Sequence, residues 1–367
     1  MTEQPPTSGP SPSDEGDTLD TPDPQANQRR VTIYDVAHEV GVSPSTVSRA
    51  FARPGRVNAD TAERIRLAAE RLGYRTSVIP RSERDEATKI LAFVAADATN
   101  PVYTHMMRSF QNEAHEAGYS TILLDSQENS VLEQDLINRI VPVVDGVALV
   151  ASRLSDSAIA QVAKVTPLVA VNRVVQGTTS VVPDTRGGLR RAVQYLESLG
   201  HERLTYLAGP EASWMDGTRW RAVTEACKSF DMPVRRIGPC VPSVRGGLEA
   251  SQRWRDNPTT AVMAFNDIMA IGFMKGVQAL GMRVPDDVSV VGIDNSISAV
   301  LNTPTLTSVA TSATEIGQSA ACTLIHQVTR RSARLNQTFV VPVTLVQRDS
   351  VSYPHSPVQP VGQHPHF

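Results

Sequence analysis

Residues 31–51 read VTIYDVAHEVGVSPSTVSRAF, and this stretch decides the architecture of the first module. Thr32 stands where a helix N-cap belongs, and Asp35, three residues on, can reach back to it in a capping box. Ile33, Val36, Ala37 and Val40 then recur at helical spacing and make one apolar face. Gly41 suits the left-handed position that ends such a helix. Ser43 caps a second helix, with Pro44 in its first turn, where a missing N–H costs nothing. Val47 and Ala50 turn inward, while Ser45, Thr46, Ser48 and Arg49 turn outward. Two short helices joined by a tight glycine turn make a helix-turn-helix. A second helix that shows small polar groups and one guanidinium is suited to a DNA major groove. A third helix follows, capped by Asn58, with Ile65, Leu67, Ala68 and Leu72 recurring before Gly73-Tyr74.

Charge is distributed unevenly around this module. Residues 1–28 carry six acids and no Lys or Arg, with much Pro, Ser and Thr. Such a segment cannot bury enough surface to offset its ordering entropy, and a disordered acidic tail is expected. Residues 29–84 hold eleven arginines against six acids. A basic module on an otherwise acidic chain is the footprint of a phosphate-backbone binder, although a solvated helix face carries the same charge. The three cysteines (Cys227, Cys240, Cys322) are far apart with no CxxC, so neither a disulfide framework nor a zinc site is expected. No run of eighteen apolar residues marks a membrane span, and the N-terminus has no signal-peptide pattern. A cytoplasmic, nucleoid-associated protein is the expectation. Residues 351–367, rich in Pro, His and Gln at their end, read as a second disordered tail; their histidines have no metal-site spacing.

From Ile90 the texture changes to strands alternating with helices. ILAFVAAD, TILLD, GVALV and PLVAV are buried strands separated by helical stretches, and RLTYLAG, AVMAFND and DVSVVGID continue the series. This alternation means βαβ units and parallel sheets covered on both faces. The expected fold is therefore a small all-α head (29–74), a linker (75–88) and a body over 89–350 of two successive α/β lobes. In open α/β sheets ligands bind beyond the carboxyl ends of the strands. Asp97, Asn172, Asn266-Asp267 and Asp294-Asn295 occupy such places and point to a polar cleft between the lobes.

The run at 31–51, followed by VNADTAERIRLAAERLGY, resembles the N-terminal signature of the LacI–GalR family of bacterial transcription regulators. VAADATNPVY, LGHERLTYLAGP, the block from TAVMAFNDIMA to VVGIDN, and TPTLTSV are similar to later family blocks, so the resemblance covers about 31–350. It implies a body like the type I periplasmic binding proteins, a small-molecule effector held between two lobes, and operator DNA read by a homodimer or a higher oligomer. It implies no cofactor and no metal. DNA contacts are expected from Thr32, Ser43, Ser45, Thr46, Ser48, Arg49, Arg53 and Arg81. Effector contacts fall on Tyr103, Asn172, Arg173, Asp184, Arg219, Asn266 and Asp294. A polyhydroxyl ligand needs acceptors such as Asp294, forked donors such as Arg219, and an aromatic wall from Tyr103, Trp214 or Trp220. Arg219 with Asp294 also reads as a structural ion pair, and Trp220 equally as core.

Departures from the family pattern carry information. Asn172 stands where many members have an aspartate, and Thr311 where a glutamine is often found. The linker Tyr74–Glu83 keeps Arg81, but Pro80 replaces an alanine and Glu83 the leucine that wedges into the minor groove. Proline inside a helix costs about 3 kcal/mol relative to alanine, so a flexible linker is expected there. Enzyme signatures are missing: the pairs Gly187-Gly188 and Gly246-Gly247 are not a dinucleotide fingerprint, and no nucleophile elbow, HExxH or P-loop occurs. A transport receptor would share the body but not the helix-turn-helix. A DNA-binding regulator, repressor by default, whose effector either releases or promotes DNA binding, is what the sequence supports.

Overall fold

A computed structural model describes residues 32–52, 57–72, 87–330 and 336–354. The described residues up to 72 and those from 87 onward form two separate compact units. The expected tail at 1–28, the part of the expected 351–367 tail beyond Pro354, and the linker positions Pro80, Arg81 and Glu83 lie outside the described residues, as does Arg53.

In the head, α1 (Ile33–Val40), α2 (Pro44–Ala52) and α3 (Ala59–Leu72) pack around Val36, Val40, Val47, Ile65 and Ala68. The Thr32–Asp35 capping box forms, and Gly41 takes φ 73° to end α1. Arg64 of α3 donates to the Val40 carbonyl at 3.0 Å, tying the third helix to the turn. Leu67, expected inside, is 51% exposed. The inward face of α3 runs through Ala62, Ile65, Ala68 and Ala69 instead. Position 67 lies two residues from Ile65 and so points off that stripe.

The body begins with β1 (Ile90–Ala95), α4 (Pro101–Glu116), β2 (Ser120–Asp125), α5 (Ser130–Ile140), β3 (Gly146–Val150), α6 (Asp156–Val165), β4 (Leu168–Val171) and β5 (Thr179–Pro183). It continues with α7 (Thr185–Ser198), β6 (Leu204–Leu207), α8 (Trp214–Ser229), β7 (Val234–Ile237), α9 (Val244–Arg255), β8 (Ala261–Ala264), α10 (Asp267–Ala279), β9 (Ser289–Ile293), α11 (Ile297–Leu301) and β10 (Thr307–Ala310). Then come α12 (Ala313–Thr329), β11 (Thr338–Val341) and β12 (Thr344–Val346). One six-stranded sheet has the order β11-β5-β4-β3-β1-β2, the other β12-β10-β9-β8-β6-β7. All pairings are parallel except β10 with β12. The central strands are mostly apolar because helices cover both faces, as in β3, where every residue is buried, while the edge strands β2, β7, β11 and β12 are partly exposed.

The lobes are not simply successive. After β10 the chain returns to the first lobe, where α12 packs along α4 and β11 extends the first sheet beside β5. It then goes back to add β12 to the second sheet. Three segments, after β5, after β10 and between β11 and β12, therefore link the lobes. Gly317 lets α12 approach α4 closely: a Cβ there would lie 2.2 Å from the Met106 carbonyl oxygen. The body keeps its packing to Pro354, with Val351 in the core of the second lobe and the Ser352 carbonyl facing His201 at 3.0 Å.

Candidate functional sites: an exposed helix face and an inter-lobe cleft

On α2 the outward polar groups are organised around Ser43. Its hydroxyl caps the helix by accepting from Thr46 N at 3.2 Å. It also hydrogen-bonds Ser45 Oγ at 2.9 Å and Thr46 Oγ1 at 2.8 Å. Arg49, one turn on, donates to Ser45 Oγ at 3.3 Å. Ser45, Ser48 and Arg49 are exposed, and α2 has no acid in its first turn. The face thus presents hydroxyls, which both donate and accept, beside a guanidinium held by one weak bond. Thr32 is exposed, but its hydroxyl and N–H are both engaged by Asp35, at 2.6 and 2.7 Å.

The cleft between the lobes is built from turns that leave the carboxyl ends of the strands. In the first lobe Asn100 caps α4 by accepting from Val102 N at 3.0 Å, and Tyr103 and Met106 follow on that helix. Asn172, directly after β4, has φ 62°. Asparagine tolerates this left-handed backbone better than most residues. Its Nδ2 points at Met106 Sδ, 3.9 Å away, which leaves Oδ1 buried without a partner. In the second lobe Met215 and Arg219 come from α8, and Phe265 and Asn266 follow β8. Asn266 caps α10, accepting from Met269 N at 3.0 Å. Asp294 follows β9 at φ 111°, a strained backbone of the kind that collects at functional sites. Thr311 sits on the segment that crosses back to the first lobe, 5% exposed, with its hydroxyl unpartnered.

Electrostatics in the cleft centre on Arg219. One terminal nitrogen donates to Asp294 Oδ1 at 2.9 Å and the other to the Phe265 carbonyl. The guanidinium lies over the Phe265 ring, 4.7 Å from its centroid, while Nε is buried with no partner. Burial opposes the Arg219 charge, but Asp294 and the phenols of Tyr206 and Tyr103 outweigh it and hold the pKa above its usual value. Burial, with the Asp294 charge, pushes the Tyr103 phenol far up, so it stays protonated. Behind the lining, Asp267 accepts from Ser308 Oγ and from Ser296 N, both at 2.6 Å. Burial, reinforced by Asp294, pushes its carboxyl up to about 7. The lobes close on the cleft to leave about 10 Å³ of free space, roughly one water's worth.

The structure brings Tyr103, Asn172, Arg219, Asn266 and Asp294 together, and Thr311 with them. Three other expected contacts lie elsewhere. Arg173 turns away from the cleft and donates to the carbonyls of Ser152 and Leu154 and to Asp156. Asp184 caps α7 by accepting from Gly187 N at 2.9 Å. Trp220 is half-buried, stacking on Tyr206 at 5.7 Å against the second lobe's core, and Trp214 does not line the cleft either, so the aromatic wall is Tyr103 and Phe265. The expected fork of Arg219 is also altered, since both its terminal nitrogens bind protein. Sequence reasoning missed Phe265, Met106, Met215 and Pro183. Only Phe265 carried a signal, as the last apolar residue before the polar Asn266-Asp267 turn. Among the described residues no group of His, Cys, Asp or Glu could hold a metal ion. No described helix is long and apolar enough to cross a membrane.

A helix-turn-helix head on a two-lobed α/β body with a polar inter-lobe cleft defines an effector-responsive DNA-binding regulator. Residues 32–77 match the bacterial regulatory proteins of the lacI family, and residues 193–351 match the periplasmic binding protein-like domain. The chain is 30% identical to catabolite control protein A of Priestia megaterium, over 79% of this chain and 90% of that one. It is 29% identical to the transcriptional regulator DegA of Bacillus subtilis, over 88% and 98%. The structure of the transcriptional regulator CelR with cellobiose superposes with TM-score 0.65 at 26% identity, covering 88% of this chain and 100% of that one. The protein belongs to the LacI family of bacterial regulatory proteins.

Proposed function

We propose that this regulator is a cytoplasmic repressor that binds a near-palindromic operator as a homodimer, and that a sugar or related metabolite held between the lobes controls its grip on DNA. The observation that carries the effector reading is a set of three buried polar atoms without partners: Asn172 Oδ1, Arg219 Nε and Thr311 Oγ1. They come from the first lobe, the second lobe and a crossing segment, and all three residues line one cleft. A buried polar group without a partner costs stability, so a ligand that satisfies all three is stabilised by both lobes at once. Such a ligand favours one inter-lobe angle and shifts the population toward it.

On the DNA side, Ser45, Thr46, Ser48 and Arg49 are the base-reading candidates, with Ser43 and Arg53 beside them. Thr32 and Arg81 fit phosphate contacts at most. One such helix reads too few base pairs alone, so a two-fold dimer is required. Val244 and Leu248 of α9 and Ile297, Val300 and Leu301 of α11 are exposed apolar residues on two helices that both pack on α10, and they suit the dimer contact. Residues 75–88 serve as the linker between head and body.

The test has two parts. Selection of binding sites from a random duplex library with the full chain is expected to return two-fold symmetric sequences. Asn172→Ala and Arg219→Ala, one in each lobe, are each expected to remove the effector response while leaving operator binding in the absence of effector. Asymmetric or no enrichment overturns the dimeric operator reading, and a full effector response in both variants overturns the cleft reading.

A further inference from the structure

We infer that the first lobe carries a second small-molecule site, outside the inter-lobe cleft, for an uncharged polyhydroxyl compound no larger than a monosaccharide. The site lies at the opposite end of the first sheet from the cleft. Thr166 and Pro167 lead into β4 there, and Gln176 and Thr178 into β5. The last two turns of α6, the end of α12 at Gln327, and Asn336 ahead of β11 complete the lining. The pocket holds about 250 Å³ of free space, against about 10 Å³ in the cleft. Sites for drug-sized ligands run to about 300–1,000 Å³, so the occupant is a single ring or a short polyol. β4, four residues long, sets this pocket roughly 13 Å from the cleft lining, too far for one such molecule to fill both.

The observation that carries the site is a pair of buried hydroxyls. Thr166 is 0% exposed and Thr178 5%, and neither Oγ1 has a partner. Each such group costs stability, and folded chains pair nearly all of them. These two come from different loops, at the starts of adjacent strands, and both residues line the same pocket. A threonine hydroxyl both donates and accepts, and the amides of Gln176, Gln327 and Asn336 offer both kinds of atom. A ligand hydroxyl also does both, so it can match each of these groups. Pro167, Leu168, Ala160 and Ala163 add apolar surface for the C–H face of a ring or polyol.

The charges present favour a neutral occupant. Lys164 is the one charged side chain among the described lining residues, and it is exposed. It stands in the last turn of α6, and the last turn of α12 also borders the pocket. Helix C-termini carry partial negative charge, which offsets the ammonium. An ion of either sign would therefore give up its hydration without meeting a buried opposite charge.

The experiment uses the full chain with ribose, glucose, myo-inositol and glycerol as neutral probes, and ribose 5-phosphate and spermidine as charged ones. Calorimetric titration is expected to find a neutral probe whose Kd rises at least tenfold in Thr166→Val and in Thr178→Val and stays the same in Asn172→Ala. The same probe is expected to slow amide hydrogen exchange at 164–168 and 176–179. Valine keeps the outline of threonine and removes an unpaired hydroxyl, so both ligand-free variants are expected to unfold at the same or a higher urea concentration than the wild type. A hydroxyl with a structural role would lower it. The inference is overturned if no neutral probe binds, if every probe that binds ignores both threonine variants, or if the ligand-free variants are destabilised. A charged probe that binds as tightly and is lost in the threonine variants overturns the class of ligand. A probe lost only in Asn172→Ala, with no other binding, removes this site and leaves the cleft reading standing.

Discussion

Arg49 illustrates how a single residue can be committed to a role by what does not hold it. Among the described residues its one side-chain bond, to Ser45 Oγ, is exposed and at 3.3 Å adds little to stability. Breaking it to reach a guanine edge is therefore cheap. Arg49→Ala is expected to cost about 1–3 kcal/mol on the selected operator and to relax preference at one base pair. Gel-shift titrations against the operator and against random duplex separate the roles, since equal losses on both would mean that Arg49 touches only phosphate. Arg219 shows the opposite case. Its position beyond the lining turn was legible from the sequence, but not the partners of its fork. Those depend on where the Phe265 carbonyl and Asp294 arrive from two other strands, which no local pattern records.

At the scale of elements, the pairing of α12 with α4 is the contact that builds the first lobe's far face. Gly317 permits it, since an added methyl would meet the Met106 carbonyl at 2.2 Å and Ser109 Oγ at 2.1 Å. Gly317→Ala is therefore expected to destabilise the body by about 1–3 kcal/mol, as overpacking does. Gly217, inside α8, has nothing within 4 Å of a built Cβ. Gly217→Ala is expected to stabilise by about 0.5–1 kcal/mol through helix propensity alone. Urea denaturation of the two variants checks the signs: unchanged or higher stability in Gly317→Ala would contradict the close approach, and a loss in Gly217→Ala would contradict the propensity argument. The helices and strands themselves were legible from periodicity and capping. Thr32, Gly41, Ser43 and Asn58 mark boundaries because local chemistry sets them. Arg173 and Asp184 are placed in the cleft by resemblance, and Trp220 by the need for an aromatic wall. Each sits one or two residues from a lining position, where the direction of a side chain depends on tertiary packing.

At the scale of the whole molecule, Asp267 and His201 are buried groups that act on stability against pH with opposite signs. Asp267 has its carboxyl raised to about 7, so the folded state holds its proton more tightly than the unfolded chain, where a carboxyl titrates near about 3.9. Its contribution grows as pH falls through 7. His201 is hydrogen-bonded to Thr260, Ser289 and the Ser352 carbonyl, and burial lowers its pKa. Below about pH 6.5 the unfolded chain takes up that proton first and stability is lost. Unfolding free energy is expected to rise from pH 8 to about 6.5 and then to level off. Asp267→Asn is expected to remove the rise, and His201→Gln to let it continue to lower pH. A wild-type profile that falls steadily from pH 8 would contradict both assignments. The two-lobed plan was legible from the alternation of strands and helices, yet the return of α12 and β11 to the first lobe was not. A strand pattern names its element but not the sheet that receives it.

That return has a consequence for biosynthesis. The second lobe's strands β6 to β10 emerge from the ribosome as one uninterrupted stretch, and only the short antiparallel β12 is added later. The first lobe, although its leading strands are translated earlier, lacks the edge strand β11 and the covering helix α12 until Val341 has emerged. Nascent domains generally mature in order from the N-terminus. Here the lobe that starts first finishes late, and its apolar sheet face stays uncovered while nearly all of its neighbour is made. Chaperone occupancy on the growing polypeptide should therefore concentrate on the N-terminal half of the body and be released only in the last stage of translation.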